Sequence, residues 1–280
     1  MTQAQTDGKD QVVEGAAFAG SESVGYEIRG RVAVVTIRRP EARNAVNAEV
    51  ARGVEAAIDA AESDDTVWVV VLTTETAGQE RPVFCAGADL KAIAQGQAGS
   101  LSTRRGGFAG FVFREREKPV IVAVDGLATA GGCEIVLAAD LVVASTRSSF
   151  GLAEVKRNLV ANGGGLFRLP RVVGRNVAME LALTGEPLSA QRGFELGLVN
   201  RLCEPGSALD EALRLAATIC EAAPLAVRES RKVVLAAQTE GDVELVARAN
   251  AAFDRVLASE DSREGLTAFI EKRPPNWAGR

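Results

Sequence analysis

Residues 119–154 read PVIVAVDGLATAGGCEIVLAADLVVASTRSSFGLAE. A continuous β-branched run, with no polar alternation, is the pattern of a strand covered on both faces. Here it runs into a glycine-rich turn. A carboxylate, Glu134, follows at once, and a second, Glu154, comes after one short excursion. Burying a carboxylate in apolar surroundings is costly unless it has a partner or a use. This stretch therefore constrains the fold, as buried strand, turn, short helix and strand, and it raises a question of chemistry.

The surrounding chain fits the same layering. Residues 24–29 and 32–37 predict two tightly joined strands, rich in β-branched side chains and separated at Gly30. Pro40 stops the second strand. Asn47 is placed to cap a helix running to about Glu62, with Val50, Val54 and Ile58 recurring every four residues. TVWVVVL at 66–72 predicts a buried strand. The small residues of 83–90 fall where a further strand should end. A helix with several arginines is expected over 99–118, a strand at 119–124, a short helix at 131–139 and a strand at 141–144. Strand-rich runs alternating with helices argue for an α/β fold with helices covering a sheet. Beyond Glu154 the pattern turns helical, with helices expected over 177–183, 190–196 and 208–222, from Pro224 onward, and around 243–257, the last ending near Lys272. One short strand fits 199–203. The expected organisation is a flexible tail at 1–23, an α/β core at 24–205 and a helical region at 206–280 that caps the site or pairs subunits.

Composition removes several function classes. The chain of 280 residues has a net charge of −5, which argues against a general nucleic-acid binder, since that role needs a basic face. It leaves room for an anionic small ligand held by a few local Arg or Lys side chains. The longest apolar region carries Asp125, Glu134 and Asp140, so no membrane insertion is expected. The N-terminus lacks a basic segment followed by an apolar one, the mark of a secretory signal. Cys85, Cys133, Cys203 and Cys220 are far apart and read as free thiols, which fits a cytoplasmic location. There is no histidine. That single absence excludes Ser-His-Asp and Cys-His nucleophilic machinery, HExxH zinc sites and histidine bases. Acid–base work must fall to Glu, Asp, Lys, Cys or Tyr26.

Each candidate motif has a plain structural explanation when taken alone. FCAGADL at 84–90 could leave the Ala88 amide bare for a ligand oxygen, or be a tight strand-to-helix turn capped by Asp89. GLATAGGCE at 126–134 has neither the Gly-Lys-Ser/Thr ending of a phosphate loop nor GxGxxG spacing. It could present the Gly131 amide at a helix N-terminus to developing negative charge, or hold Glu134 merely as an acid in a first helical turn. Glu154 could be a surface residue paired with Lys156 or Arg157. Asn162 and the glycines after it could bind through backbone amides or simply turn the chain. The conjunction points to chemistry.

In order and spacing, the motifs resemble those of the crotonase family, also called the enoyl-CoA hydratase/isomerase family, over roughly residues 24–275. The matching pieces are Arg38-Arg-Pro40 with Asn44, FCAGADLK at 84–91, VDGLATAGGCE at 124–134, AAD at 138–140, FGLAE at 150–154 and EKRPP at 271–275. The resemblance implies a spiral of ββα units with a helical C-terminal region used in trimer assembly, commonly stacked into hexamers. It implies that the Ala88 and Gly131 amides form an oxyanion hole for the thioester carbonyl of an acyl-CoA. It implies that Glu134 activates water for attack at Cβ and Glu154 supplies the proton to Cα. Ala86, Asp89, Leu90 and Lys91 would line the CoA moiety, with Arg43 and Lys272 as phosphate partners and Asn162 at the place of the amide that helps hold the water. Coenzyme A would arrive as part of the substrate, with no separate cofactor and no metal. The chain departs from the family pattern at Ala130, where a third glycine is usual, at Ala153, where a proline is common, and at Asn162. The expectation is an enoyl-CoA hydratase converting a trans-2-enoyl-CoA to a 3-hydroxyacyl-CoA. The alternatives are an isomerase or specialised acyl-CoA dehydratase at the same site, or a CoA-binding protein with little turnover.

Overall fold

The computed structural model describes residues 20–280, so most of the expected tail lies outside the described residues. Residues 21–23 are not tail. Ser21 and Val24 form a bridge, and the buried Ser23 accepts through its carbonyl from Arg38 N–H at 2.8 Å.

The chain opens with β1 (Val24–Arg29), β2 (Val32–Ile37) and α1 (Ala48–Ser63), whose cap is Asn47 accepting from Val50 N–H at 2.9 Å. Three further ββα units follow. They are β3 (Val69–Thr74), β4 (Val83–Cys85) and α2 (Leu90–Ala94); then, after a two-residue hairpin of β5 (Ser102–Thr103) and β6 (Gly107–Phe108), β7 (Val120–Val124), β8 (Leu127–Thr129) and α3 (Gly131–Ala138); then β9 (Leu141–Ser145), β10 (Ser149–Gly151) and α4 (Gly165–Val173). Both strands of the first unit and the first strand of each later unit join one six-stranded sheet in the order β1-β2-β3-β7-β9-β12, and the second strand of each later unit joins a smaller sheet in the order β11-β10-β8-β4. The remaining elements are α5 (Arg175–Thr184), β11 (Leu188–Ser189), α6 (Ala190–Glu195), β12 (Arg201–Cys203), α7 (Ala208–Cys220), α8 (Pro224–Ala236), α9 (Asp242–Leu257) and α10 (Glu260–Glu271). The expected α/β spiral of ββα units is the observed architecture.

The two-sided burial of the large sheet explains the unbroken apolar runs. Val35, Ile37, Val70, Leu72, Val122 and Val124 face the main core with Phe84, Phe150 and Ile135. The alternate residues Val34, Val69, Val71, Ile121, Ala123 and Val143 face the other way, onto Ala208, Ala212 and Ala216 of α7. Alanines spaced by four lie on one stripe of α7 and let it approach the sheet closely. α7 is thus a layer of the core, and α8–α10 follow it in the chain.

The helix expected over 99–118 is absent. The segment holds a 3-10 turn at Ala98–Leu101, the small hairpin and a series of turns. Gly107, Ala109 and Gly110 all take positive φ, which a helix cannot accommodate, and the glycine pair at 106–107 already weakens a helix by about 1 kcal/mol per glycine. The apolar spacing of Phe108, Phe111 and Phe113 reflects a folded loop that buries Phe111 and turns Phe113 outward. The smaller sheet was largely unannounced, because its strands are two or three residues long and carry no pattern to read. At the other end of the site, α4 continues through Pro170 to Val173.

Candidate active site

Four elements converge on the glutamate pair. The first is the turn after β4. Val46 N–H donates to Gly87 O at 2.8 Å, and Asp89 N–H donates to Val46 O at 2.9 Å. This is a single parallel bridge between Val46 and Ala88. In extended chain, successive N–H groups point to opposite sides, so the Ala88 N–H is turned away from Val46. Asp89 closes the turn. Its carboxylate accepts from the Arg39 guanidinium at 3.1 Å and from Lys91 N–H at 3.0 Å. The side chain of Asp89 is thus engaged in capping α2 and holding the turn.

The second element is the N-terminus of α3. Gly131 is its first residue, so its N–H has no intrahelical acceptor. Among the described residues neither this amide nor that of Ala88 donates to a backbone carbonyl. The two turns are in contact: a methyl group on Gly87 (φ 89°) would stand 3.0 Å from Gly131 N, and one on Gly132 would collide with the carbonyl of Cys85. Glycine at 87 and 132 is therefore what allows two amide donors to sit side by side. The half-buried ring of Phe108 covers Gly131.

Just ahead of Gly131, Ala130 sits at φ 52°, ψ −128°, a region strained for any residue with a Cβ. Its N–H donates to Gly151 O at 2.8 Å, which pins the peptide in place. We expect Ala130→Gly to move the midpoint of chemical denaturation upward. The gain is about 1 kcal/mol, being the strain relieved less the greater freedom of glycine in the unfolded chain.

The third and fourth elements hold the carboxylates. Glu134, in the first turn of α3, is 3% exposed, and Glu154, in a 3-10 turn (Ala153–Arg157), is 9% exposed. Glu134 Oε1 accepts from Gly165 N–H at 2.9 Å. A methyl on Gly163 would lie 2.6 Å from its Oε2. Burial pushes the Glu134 carboxyl above the usual carboxylate range, against the pull of the Gly165 and Gly163 amides and the Arg168 guanidinium. Glu154 is pushed up to about 7, first by burial and further by the negative charge of Glu134. Its Oε2 is buried with no hydrogen-bond partner among the described residues. One carboxylate is anchored and the other has a free oxygen. Such a pair, with proton affinities moved toward neutrality, can take a proton at one point and deliver one at another.

The other anticipated residues divide into two groups. Arg43, Leu90 and Lys91 are exposed beside the Ala88 turn, and Arg43 O accepts from Ala86 N–H at 3.1 Å. Asn162 is exposed, and the amides directed at Glu134 are those of Gly163 and Gly165, one and three residues further on. Lys272 is exposed at the end of α10, in a region tied by hydrogen bonds to α8 and to the end of α7. Nothing there joins it to the glutamates of its own chain. Sequence reading missed Arg39, Phe108 and Arg168 as parts of the site, whereas Gly163 and Gly165 lie in the run whose amides it left open to a ligand. Two open apolar grooves, of about 480 Å³ between α8 and α9 and about 220 Å³ beside Leu152, lie off this constellation and hold neither glutamate. Among the described residues no three Cys, Asp or Glu side chains gather as a metal site.

The profile of the Enoyl-CoA hydratase/isomerase family matches residues 27–280. The chain belongs to this family. Among enoyl-CoA hydratase/isomerase relatives, a carnitinyl-CoA dehydratase from Proteus mirabilis is 36% identical over 265 residues, covering 93% of this chain and 100% of the relative. A short-chain-enoyl-CoA hydratase from Clostridium acetobutylicum is 37% identical over 252 residues, covering 88% and 94%. The crystal structure of an enoyl-CoA hydratase from Mycobacterium tuberculosis superposes with a TM-score of 0.87 at 45% identity, covering 93% of this chain and all of that one. Family membership makes the protein an enzyme of the hydratase kind.

Proposed function

We propose that the protein is an enoyl-CoA hydratase acting on a trans-2-enoyl-CoA. The observation that carries the reading is the unequal pair: Glu134 held by the Gly165 amide, and Glu154 with a buried, unpartnered oxygen and a proton affinity near neutrality. In the forward direction the Glu134 carboxylate takes a proton from water as its oxygen forms the bond to Cβ. The C=C electrons move to Cα and the carbonyl, giving a thioester enolate whose oxygen is received by the Ala88 and Gly131 N–H groups. Glu154 then delivers its proton to Cα. Exchange of protons with solvent restores the pair. Donors fixed on the backbone stabilise charge that develops only in the transition state, and losing one such donor costs about 10²–10³ in rate.

The same steps run backwards dehydrate a 3-hydroxyacyl-CoA. The relatives named dehydratases favour keeping that direction as the second reading. A one-base isomerase would need only one of the two carboxylates. Arg43, exposed beside the Ala88 turn, and Lys272 would meet the CoA phosphates, Lys91 would line the ligand, and coenzyme A would enter with the substrate with no separate cofactor. The test is a panel of enoyl-CoA esters of different chain length, followed by loss of the conjugated thioester absorbance. Activity on at least one ester supports hydration, and CoA binding without turnover on any ester would replace it with a binding role.

The reading includes assembly as a homotrimer, stacked or not into a hexamer. The support is the apolar surface of α9 and α10, where Phe253, Phe269 and Ile270 are 65%, 84% and 77% exposed. Bulky apolar side chains left this exposed on two helices in contact are what a subunit interface would cover. Light scattering should give three or six times the chain mass, and a monomeric mass would overturn the proposal.

A further inference from the structure

Among the described residues Arg168 is the cation set against Glu134, as Arg157 is against Glu154. Arg168 extends from α4, half-buried, and its fork reaches in two directions. Nη1 donates to Gly163 O at 3.1 Å and Nη2 donates to Val112 O at 2.6 Å. Gly163 belongs to the turn that presents its own amide and that of Gly165 to Glu134. Val112 belongs to the loop at 104–118, which carries Phe108 onto Gly131. The guanidinium also lies 5.4 Å from the ring of Phe113 on that loop and 5.2 Å from the ring of Phe167 on its own helix. A planar fork with fixed donor directions suits such a two-ended tie, where an ammonium on a flexible stem does not.

We propose that Arg168 is a positioning residue that ties the 104–118 loop to the turn at 163–165, and through that turn fixes the Glu134 carboxylate relative to the Gly131 amide. Among the described residues no other hydrogen bond links this loop to that turn. The tie makes the loop over one oxyanion donor and the turn under the base a single unit. Misplacement of reacting groups by about 1 Å can cost on the order of 10² in rate, so a residue that touches neither substrate nor proton can still govern turnover. The charge has a separate effect. The groups that face Glu134 are Glu154 from the 3-10 turn, Arg168 from α4 and the Cys133 thiol on its own helix. Arg168 alone among them favours the ionised form of Glu134.

The inference rests on the hydratase reading, and two variants separate its parts. Arg168→Met removes both tie and charge. We expect kcat/KM to fall about 10²-fold and the acidic limb of its pH profile to move to higher pH, because Glu134 must be ionised to accept a proton and loses the cation that favours ionisation. Arg168→Lys keeps the charge and loses the fork. We expect a drop of about tenfold with the acidic limb where the parent has it. Arg168→Gln gives a second neutral variant should Arg168→Met fold poorly, with thermal unfolding as the control. Independently of turnover, the infrared carboxyl band assigned by Glu134→Gln should titrate at higher pH in Arg168→Met than in the parent, and hydrogen exchange at 163–165 should quicken in both variants. Parental exchange at 163–165 together with a parental profile in Arg168→Met would overturn the proposal while leaving hydration intact. An inactive parent would overturn the hydratase reading, and the infrared and exchange measurements would still decide the role of Arg168.

Discussion

Glu134→Gln and Glu154→Gln should each lower hydration of a 2-enoyl-CoA by about 10²–10⁴-fold, the usual worth of a positioned acid or base. Glutamine preserves size, and at 134 it preserves an oxygen that can still accept from Gly165 N–H at 2.9 Å. The loss is therefore a loss of proton transfer. The two effects will not add. One carboxylate takes a proton from water while the other gives one to Cα, so removing either stops the same cycle, and the double variant should be little worse than the poorer single one. Steady-state rates for the two single variants and the double variant check this. Turnover at the parental rate in either single variant would remove that residue from the mechanism, and a double variant that multiplies the two losses would mean the glutamates act in separate steps.

Glu154→Gln should also make the protein more stable above neutral pH. The carboxyl of Glu154 is pushed up to about 7 from its ordinary 4.5, mainly by burial. Between those values the folded chain keeps a proton that the unfolded chain has released. Stability therefore falls as pH rises through that window and stays reduced above it. Glutamine has no charge to bury and escapes the loss. We expect the variant to be equal to the parent near pH 4 and more stable by about 1–2 kcal/mol near pH 8. Urea denaturation at both pH values checks it, and equal stability throughout would show that Glu154 carries no such burden. Gain of stability on loss of activity is the signature of a group kept for its chemistry at the expense of the fold.

Burial of both glutamates was legible from the apolar sequence around them, and so was the large sheet, whose strands are long and covered on both faces. The ββα order followed from the resemblance and holds in the structure. What could not be read was short or depended on direction. The strands of the smaller sheet have two or three residues and exist because neighbours pair with them. The segment at 99–118 offered three phenylalanines and several arginines, and its glycines decided for turns. In the turn after Ala161, Asn162 was expected at the water amide, yet the chain points Gly163 and Gly165 at Glu134 and leaves Asn162 exposed. A change of one residue in a tight turn reverses which amide faces inward, and only the tertiary contacts fix it. Arg168 gave no signal, since one arginine in a helix near others reads as surface charge until its two carbonyl partners are in view.

The most direct test of the account is the fate of water. The parent enzyme, given a 2-enoyl-CoA in oxygen-labelled water and separately in deuterated water, should yield a 3-hydroxyacyl-CoA with the labelled oxygen at Cβ and deuterium at Cα. Movement of the double bond without oxygen incorporation, or recovery of every ester unchanged, would contradict it.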